Sequence, residues 1–280
     1  IRIVKFDFQP VEAAKLALIV FLAAKSAEWG DRIGEFKRGV MPLLGTGLGM
    51  AFLVALQPNI SNAVLLVLIT YLMLFVSGAR IRHLALSGLI LLAAAAPLLF
   101  RVEKVVNRLR DYLSGEIMSF QLQQSLIALG TGSFLGCGPG RGHQKLRFLP
   151  DAHTDFIYSI VGEELGLAGT AGTLLVFAYI LRRATRVARR SPDSFGCLLA
   201  MGVGMLLFFS AAVNMAMATG VIPVAGLPLP FVSYGGSSLV ASLAAIGILV
   251  NVSYEGKERA FPVELFGLRR RPRVSFARRR

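Results

Sequence analysis

The stretch that decides the fold is Gly196-Cys-Leu-Leu-Ala-Met-Gly-Val-Gly-Met-Leu-Leu-Phe-Phe-Ser-Ala-Ala-Val-Asn-Met-Ala-Met-Ala-Thr219, which contains no charged residue. An apolar run of this length can cross a bilayer as a helix, because the hydrocarbon core takes about 17–25 residues. Six more apolar runs lie at about 10–26, 40–56, 61–78, 83–100, 155–181 and 236–252. The chain is therefore predicted to be an all-α, polytopic transmembrane bundle of about seven spans.

Composition agrees with a membrane protein. The 280 residues are 55% hydrophobic and only 16% charged, whereas a soluble domain carries about a quarter of charged residues. The formal net charge of +14 would suggest nucleic acid in a soluble protein. Here the positive residues lie in short loops and in the tail, and no basic face is interleaved with aromatic residues, which excludes a nucleic-acid partner. Cys137 and Cys197 do not form a disulfide framework.

Charge in the connecting segments predicts the topology. Basic residues crowd 25–39, Arg80 to Arg82 and the short loop 182–190, and short basic loops stay in the cytoplasm. Three connections then face out, namely 57–62, the long loop 101–154 and 220–235. We divide the chain into a membrane domain, 1–254, and a basic cytoplasmic tail, 255–280, held near anionic lipid. The chain begins at Ile1 without a methionine, so we expect an N-terminal part to be missing.

Glu12 and Lys15 are three residues apart in the first span, on one face of the helix. Both are costly against lipid, so they are expected to face the protein interior and to pair with one another. One interpretation is a purely stabilising ion pair. The other is a functional site, since ionisable residues inside a span are candidates for one.

The long external loop combines an amphipathic stretch, 120–130, with glycines at every second position from Gly136 to Gly142. The amphipathic stretch is expected to lie along the membrane interface or to fold back onto the bundle. Alternating glycines can turn backbone amides toward an anion, and a cationic cluster suited to a diphosphate follows, comprising Arg141, His143, Lys145 and Arg147. A solvated loop is the other interpretation.

Asp155 lies where the fifth span begins, close to His153 and two helical turns before Glu163 and Glu164. Its carboxylate could cap the helix. A carboxylate at a membrane–water boundary near basic residues could instead act as a general base. The two glutamates must line an interior cavity or pair with basic groups. His153 and Asp155 could also hold a divalent cation, although magnesium prefers oxygen ligands.

The third external segment, 220–238, contains three prolines and four glycines and cannot be a continuous helix. Irregular backbone at membrane depth is tolerated where it is buried in protein or lines a water-filled cavity. Ser233, Tyr234 and Ser237 would supply hydroxyl groups to such a cavity. A structural hairpin is the alternative.

Three blocks, in this order, resemble the SEDS family of FtsW/RodA/SpoVE peptidoglycan polymerases. Gly226-Leu-Pro-Leu-Pro-Phe-Val-Ser-Tyr-Gly-Gly-Ser-Ser238 is similar to the family's C-terminal signature. Leu149-Pro-Asp-Ala-His-Thr-Asp-Phe156, with Gly162-Glu-Glu-Leu-Gly166 after it, resembles a second block. Phe8-Gln-Pro-Val-Glu-Ala-Ala-Lys15 resembles a third, with Val11 where serine is usual. The segment around Gln124 looks more like FtsW than RodA.

The resemblance implies ten spans, of which this chain would lack the first three, and a large extracellular loop at 101–154. It implies Asp155 as the essential acidic residue and proposed general base. It also implies roles for Glu12, Lys15, Arg108, Gln124 and Lys145. Together with the residues nominated above and the signature glycines, the predicted substrate-binding set comprises Glu12, Lys15, Arg108, Gln124, Lys145, His153, Ser233, Tyr234, Gly235, Gly236 and Ser237. At Asn59 the family usually has aspartate, which puts in doubt any role of that position in charge balance or metal binding.

The implied activity is an inverting glycosyltransferase that polymerises lipid II into β-1,4 glycan strands at the outer face of the bacterial cytoplasmic membrane, during division or elongation. A divalent cation, Mg²⁺ or Mn²⁺, is a possible cofactor. The expected partners are a class B penicillin-binding protein, other divisome or elongasome proteins, lipid II, the undecaprenyl-pyrophosphate-linked glycan and membrane lipid. Two alternatives stay open from the residues, namely a lipid II flippase and a non-catalytic division scaffold.

Overall fold

The computed structural model describes residues 2–3, 6–7, 9–57, 59–99, 106, 120–145 and 149–260. Two short strands, β1 (Arg2–Ile3) and β2 (Phe6–Asp7), pair antiparallel before the first helix. The helices are α1 (Pro10–Trp29), α2 (Met41–Ala55), α3 (Ile60–Val76), α4 (Ile81–Leu99), α5 (Phe120–Gly132), α6 (Ile157–Arg190), α7 (Ser194–Ala218) and α8 (Gly236–Ala260). The predicted membrane-helical class is confirmed.

The decisive run forms α7, the central helix, which contacts α1, α3, α5, α6 and α8. Its small residues allow close packing. A Cβ on Gly202 would lie 2.6 Å from both Ile19 Cγ2 and Met73 Sδ, so only glycine permits this approach of α7 to α1 and α3. Around this crossing, the side chains of Leu22, Leu66 and other residues of α1, α2, α3, α7 and α8 form the larger hydrophobic core.

Four helical segments among the described residues are long and apolar enough to cross a membrane, namely Phe36–Ala55, Ile157–Arg190, Ser194–Ala218 and Gly236–Glu255. Ile60–Val76 and Ile81–Ala94 are shorter apolar helices. The remaining predicted span is α1, which contains Glu12, Lys15, Lys25 and Glu28. The total of seven spans stays a prediction.

The segment 182–190 is not the loop that the sequence suggested. It forms the last turns of α6, and only residues 191–193 connect α6 to α7. The physical reason is that arginine and alanine favour helix and that positive side chains in a last turn interact well with the helix dipole. Another predicted basic connection, 25–39, is also ordered: it contains the end of α1, a 3₁₀ turn at Gly30–Gly34 and most of a π turn at Phe36–Val40.

The bundle gathers the connections at two ends. Gln9, Asp155 and the segment around Tyr234 line one cleft, whereas Asp31, Gly78 and Asp193 line another. The first cleft contains residues of connections predicted to face out and the second contains residues of connections predicted to be cytoplasmic. Which end of the bundle faces out stays a prediction. Below the first cleft, which we call the outer cleft, a second hydrophobic core contains Phe156 and Leu229.

The proposed domain boundary at residue 254 falls inside α8, which runs to Ala260. Asn59, the departure from the family pattern, has a structural part here. Its side chain accepts hydrogen bonds from the backbone N–H of Asn62 at 3.4 Å and from the Asn62 amide at 3.0 Å, so it caps the first turn of α3.

Candidate functional site

The outer cleft has a volume of about 910 Å³ and lies between the turn that precedes α6 and the irregular segment that leads into α8. It brings together seven of the residues that the sequence nominated: His153, Asp155, Ser233, Tyr234, Gly235, Gly236 and Ser237. Irregular backbone lines this cavity, as predicted for segment 220–238. A volume of this size matches the usual range for small-molecule sites, about 300–1,000 Å³.

Asp155 is held by a tight turn in which the Asp151 carbonyl accepts hydrogen bonds from the backbone N–H groups of Thr154, Asp155 and Phe156 at 3.1, 3.1 and 3.3 Å. Asp151 itself has a positive φ of 54°, a conformation that aspartate and asparagine tolerate better than most residues. α6 begins after Phe156 without a side-chain cap. The interpretation of Asp155 as a helix cap is therefore wrong.

The Asp155 carboxylate is half-buried and has no hydrogen-bond or ion-pair partner in the part of the chain that the structure describes. Burial raises its pKa above the ordinary carboxyl value, and the nearby negative charge of Asp151 raises it further. On the opposite wall, a Cβ on Gly226 would come 3.2 Å from Asp155 Oδ2. Glycine there keeps the space beside the carboxylate open.

The serines of the cleft are used by the protein itself. Ser233 Oγ accepts a 2.7 Å hydrogen bond from the Leu229 N–H and donates to the Thr154 carbonyl. Ser237 Oγ accepts from the Gln9 N–H at 3.0 Å. The Tyr234 N–H donates to the His153 carbonyl at 2.8 Å. These bonds fix the shape of the cleft, and Tyr234 remains 81% exposed at its mouth.

Asn214 joins the two walls of the cleft and was not nominated from the sequence. From α7 its side-chain amide donates to the carbonyls of Asp155 and Leu227, both at 2.7 Å. The residue is fully buried. The signal that could have found it is an asparagine in the middle of an otherwise apolar span, where an unsatisfied amide would cost several kcal/mol.

Glu12 and Lys15 form the predicted buried ion pair, with 2.7 Å between Lys15 Nζ and Glu12 Oε1. They line a small inner cavity of about 20 Å³ together with Ser210 and Ser242. Pro228 and Ser238 line both this cavity and the outer cleft. Because the two cavities share these residues, the ion pair lies directly below the floor of the outer cleft. The inner cavity itself has room for about one water molecule.

A second acidic region lies where α6 breaks at Gly166, with φ 64° and ψ −156°. The glycine-rich turn wraps around this break. The backbone N–H groups of His143 and Gln144 donate to Glu163 Oε1 at 2.7 and 3.2 Å, and the N–H of Gly140 donates to Glu164 Oε2 at 2.9 Å. The turn does direct amides toward an anion, but the anions are the protein's own glutamates.

Lys145 completes this region, with 2.6 Å between its Nζ and Glu164 Oε1. The expected pairing of the glutamates with basic groups is thus confirmed for Glu164, whereas Glu163 is 2% exposed and satisfied by backbone amides. Lys145 does not line the outer cleft. Neither does Gln124, half-buried on α5. Arg108 and Arg147 lie outside the described residues.

The amphipathic stretch folds back onto the bundle as α5, the second of the two predicted arrangements. Ser125, fully buried, donates its hydroxyl to the Ala218 carbonyl at 2.7 Å and contacts the Ser159 hydroxyl. In the described ranges no group of three or more His, Cys, Asp or Glu side chains could hold a metal ion. His153 and Asp155 both line the outer cleft, and a cation site there stays a prediction.

Comparison with known proteins extends over nearly the whole chain. Residues 1–258 match a family described as "Cell cycle protein", FTSW_RODA_SPOVE. The chain is 41% identical over 258 residues to "Probable peptidoglycan glycosyltransferase FtsW" of Geobacter sp. (strain M18), covering 90% of this chain and 70% of that protein. It is 39% identical over 254 residues to "Stage V sporulation protein E" of Bacillus subtilis (strain 168), covering 89% and 69%.

A solved structure has the same fold. It is described as "Structural coordination of polymerization and crosslinking by a peptidoglycan synthase complex" and superimposes with a TM-score of 0.72 at 29% sequence identity, covering 91% of this chain and 73% of that one. The similarity therefore extends over most of the sequence and most of the helical fold.

Proposed function

The chain belongs to the FtsW/RodA/SpoVE family of cell cycle proteins, and we propose that Asp155 is the general base of a peptidoglycan glycosyltransferase whose reaction takes place in the outer cleft. The protein is a multi-pass enzyme of the bacterial cytoplasmic membrane. Its substrate is lipid II, which it polymerises into β-1,4 glycan strands.

The observation that carries this proposal is the state of the Asp155 carboxylate. It lies at the wall of a large cleft, half-buried and unpaired among the described residues, with a pKa raised by burial. A general base works best when its pKa is tuned toward the working pH and a substrate proton can reach it. An internally satisfied carboxylate would have neither property.

The reaction is an inverting displacement. The 4-hydroxyl of the acceptor sugar attacks the anomeric carbon of the lipid-linked donor, and its proton passes to the Asp155 carboxylate. The new C1–O4 bond forms as the bond between C1 and the diphosphate oxygen breaks, and undecaprenyl pyrophosphate leaves. The turn anchored on the Asp151 carbonyl and the Asn214 bridge hold the base against the opposite wall, and such positioning contributes to the rate.

The leaving diphosphate needs positive charge. Arg108 and Lys145 are the proposed sources, and a divalent cation bound in the cleft would add to the positive charge. Lys145 is ion-paired with Glu164 and does not line the outer cleft, so it would have to reorient toward the diphosphate to take this part. A KM measurement on Lys145→Met in the wild-type and Glu164→Gln backgrounds decides this point. If Lys145→Met raises KM also in the Glu164→Gln protein, Lys145 contacts the substrate. If it leaves the KM of the Glu164→Gln protein unchanged, Lys145 only pairs with Glu164.

Two rival functions are less well supported. A flippase needs a polar path through the bundle, yet the inner cavity, which the Glu12–Lys15 pair lines, has only about 20 Å³. A scaffold would not need an unpaired carboxylate in a large cleft. We also propose a class B penicillin-binding protein as the partner, which is supported by the similarity to a peptidoglycan synthase complex.

The test is lipid II polymerisation by the purified protein with its class B partner, comparing Asp155→Ala with Asp151→Asn. The second variant removes a carboxylate of the same turn but keeps a residue that tolerates positive φ. Glycan strands from Asp151→Asn and none from Asp155→Ala would support the proposal. Strands from Asp155→Ala at the wild-type rate would place the base elsewhere.

A further inference from the structure

Two large apolar side chains project from the turn that follows α5. Phe134 is 73% exposed and Leu135 is 86% exposed. Leaving such side chains in water forfeits about 1.5–3 kcal/mol each relative to burial. We call Phe134–Leu135 the apolar tip.

The apolar tip is fixed to the break in α6. The break frees backbone groups that the turn then satisfies. The N–H of Leu167 donates to the Ser133 carbonyl at 2.9 Å, and the N–H of Cys137 donates to the Glu163 carbonyl at 3.0 Å. A Cβ on Gly166 would lie 2.6 Å from the Phe134 carbonyl carbon and oxygen. The apolar tip therefore has a fixed position along α6, next to Gly166.

The depth of the apolar tip in the bilayer follows from the charges and the length of α6. The helix has 34 residues, which is about 51 Å at 1.5 Å per residue, against a hydrocarbon core of about 30 Å. Its inner end, 182–190, carries five arginines and must lie outside the hydrocarbon. Counting about 20 residues back from Leu181 places the outer boundary near Gly162, so Gly166 lies about 6 Å inside it.

The apolar tip also continues a lipid-facing surface. Beside it on α6, Leu165 and Leu167 are 43% and 54% exposed, and farther along the helix Leu175 is 68% exposed. In a membrane helix such residues face acyl chains. The tip thus extends the apolar surface of α6 at the depth where the bilayer changes from headgroups to acyl chains.

We propose that the apolar tip inserts into the outer leaflet and anchors the long external loop to the membrane. It contacts acyl chains near the boundary, at about the depth of 5–10 Å where amphipathic interfacial segments are buried. The anchor would hold the start of α6, and with it the outer cleft, at a fixed height above the bilayer. This proposal does not depend on the proposed reaction.

The test uses a single tryptophan as a depth probe. Trp29 is the only tryptophan of the chain, so Trp29→Phe gives a silent background for Leu135→Trp. The matched control is Tyr234→Trp, at a position 81% exposed, compared with 86% for Leu135, but in the polar outer cleft. Both proteins are reconstituted in phosphatidylglycerol–phosphatidylethanolamine vesicles, with and without bromine on the acyl chains.

We expect brominated lipid to quench about half or more of the Leu135→Trp fluorescence, as for a residue at interfacial depth, and iodide in the buffer to quench little of it. Tyr234→Trp should show the opposite. Phe134→Trp repeats the measurement if Leu135→Trp does not fold. Equal quenching of tip and control by brominated lipid, strong iodide quenching of the tip, or loss of lipid quenching on addition of the class B partner would overturn the proposal.

Discussion

Asp155 and Glu163 lie eight positions apart in the sequence and meet opposite environments. Glu163 is almost fully buried and accepts three hydrogen bonds from two backbone amides. Asp155 is half-buried, faces a cleft of about 910 Å³ and has no partner for its carboxylate among the described residues. A satisfied buried carboxylate stabilises structure, whereas a partly desolvated and unpaired one is available for proton transfer.

The sharpest way to break this comparison is to neutralise the unpaired carboxylate. Asp155→Asn should lower the polymerisation rate by about 10²–10⁴-fold, the usual contribution of general acid–base catalysis. The melting temperature should not fall, since no hydrogen bond of that side chain is lost. Both are measured on the same preparation, by glycan strand length and by thermal unfolding. A variant that is inactive because it has unfolded would contradict the comparison.

The second largest effect on activity is expected at Asn214, which holds the backbone of Asp155 in place. Asn214→Ala removes two 2.7 Å hydrogen bonds and leaves the buried carbonyls of Asp155 and Leu227 without their partner. We expect a rate lower by about ten- to a hundredfold from misplacement of the base. Because the amide contacts a carbonyl and not the carboxylate, the pH dependence should keep its position. Unchanged activity would show that the bridge does not position Asp155.

Neutralising Glu163, the hydrogen-bonded carboxylate, should lower the stability of the protein rather than its rate. Glu163→Gln weakens charge-assisted bonds from backbone amides and should lower the free energy of unfolding by about 1.5–3 kcal/mol, with near-normal activity per folded molecule. Glu28→Gln is the control, because its ion pair with Lys25 is exposed and should contribute about 0–1 kcal/mol. Loss of activity in folded Glu163→Gln would place that residue in the chemistry as well.

The smallest effect is a shift in pH dependence. The negative charge of Asp151 raises the pKa of Asp155, so Asp151→Asn should lower that pKa. The base is then deprotonated at lower pH, and the acid limb of the rate profile moves to lower pH without loss of the plateau rate. A limb that stays in place or moves upward would mean that another group titrates.

The local sequence was enough to predict the membrane helices, the position of Asp155 and the Glu12–Lys15 pair. Charge-free runs indicated membrane helices, Asp155 stood at a helix boundary, and Glu12 and Lys15 had the spacing of a pair on one face. The pairing of Glu163 and Glu164 depends on residues about 20 positions away, and the Asn214 bridge spans 59 positions to Asp155. Such contacts arise where the glycine-rich turn packs against α6 and where α7 packs beneath the outer cleft, and hydrophobic periodicity does not encode either.

The arginine-rich end of α6 and the break at Gly166 were not predicted, because the local sequence at each also fits a different structure. Five arginines in 182–190 are typical of a cytoplasmic loop, yet the same residues are good helix formers and extend α6. Gly166 was part of a family-like block, but nothing in its neighbours distinguished a helix break from an ordinary helical glycine. The break becomes visible only with the turn that satisfies its backbone groups.

The most direct test of the central claim is the pH dependence of lipid II polymerisation by the wild-type protein and by Asp155→Asn. If Asp155 is the general base, the wild-type rate rises through an acid limb with an apparent pKa above the ordinary carboxyl range, and the residual rate of Asp155→Asn lacks that limb. An acid limb that persists unchanged in Asp155→Asn would show that proton transfer depends on a different residue.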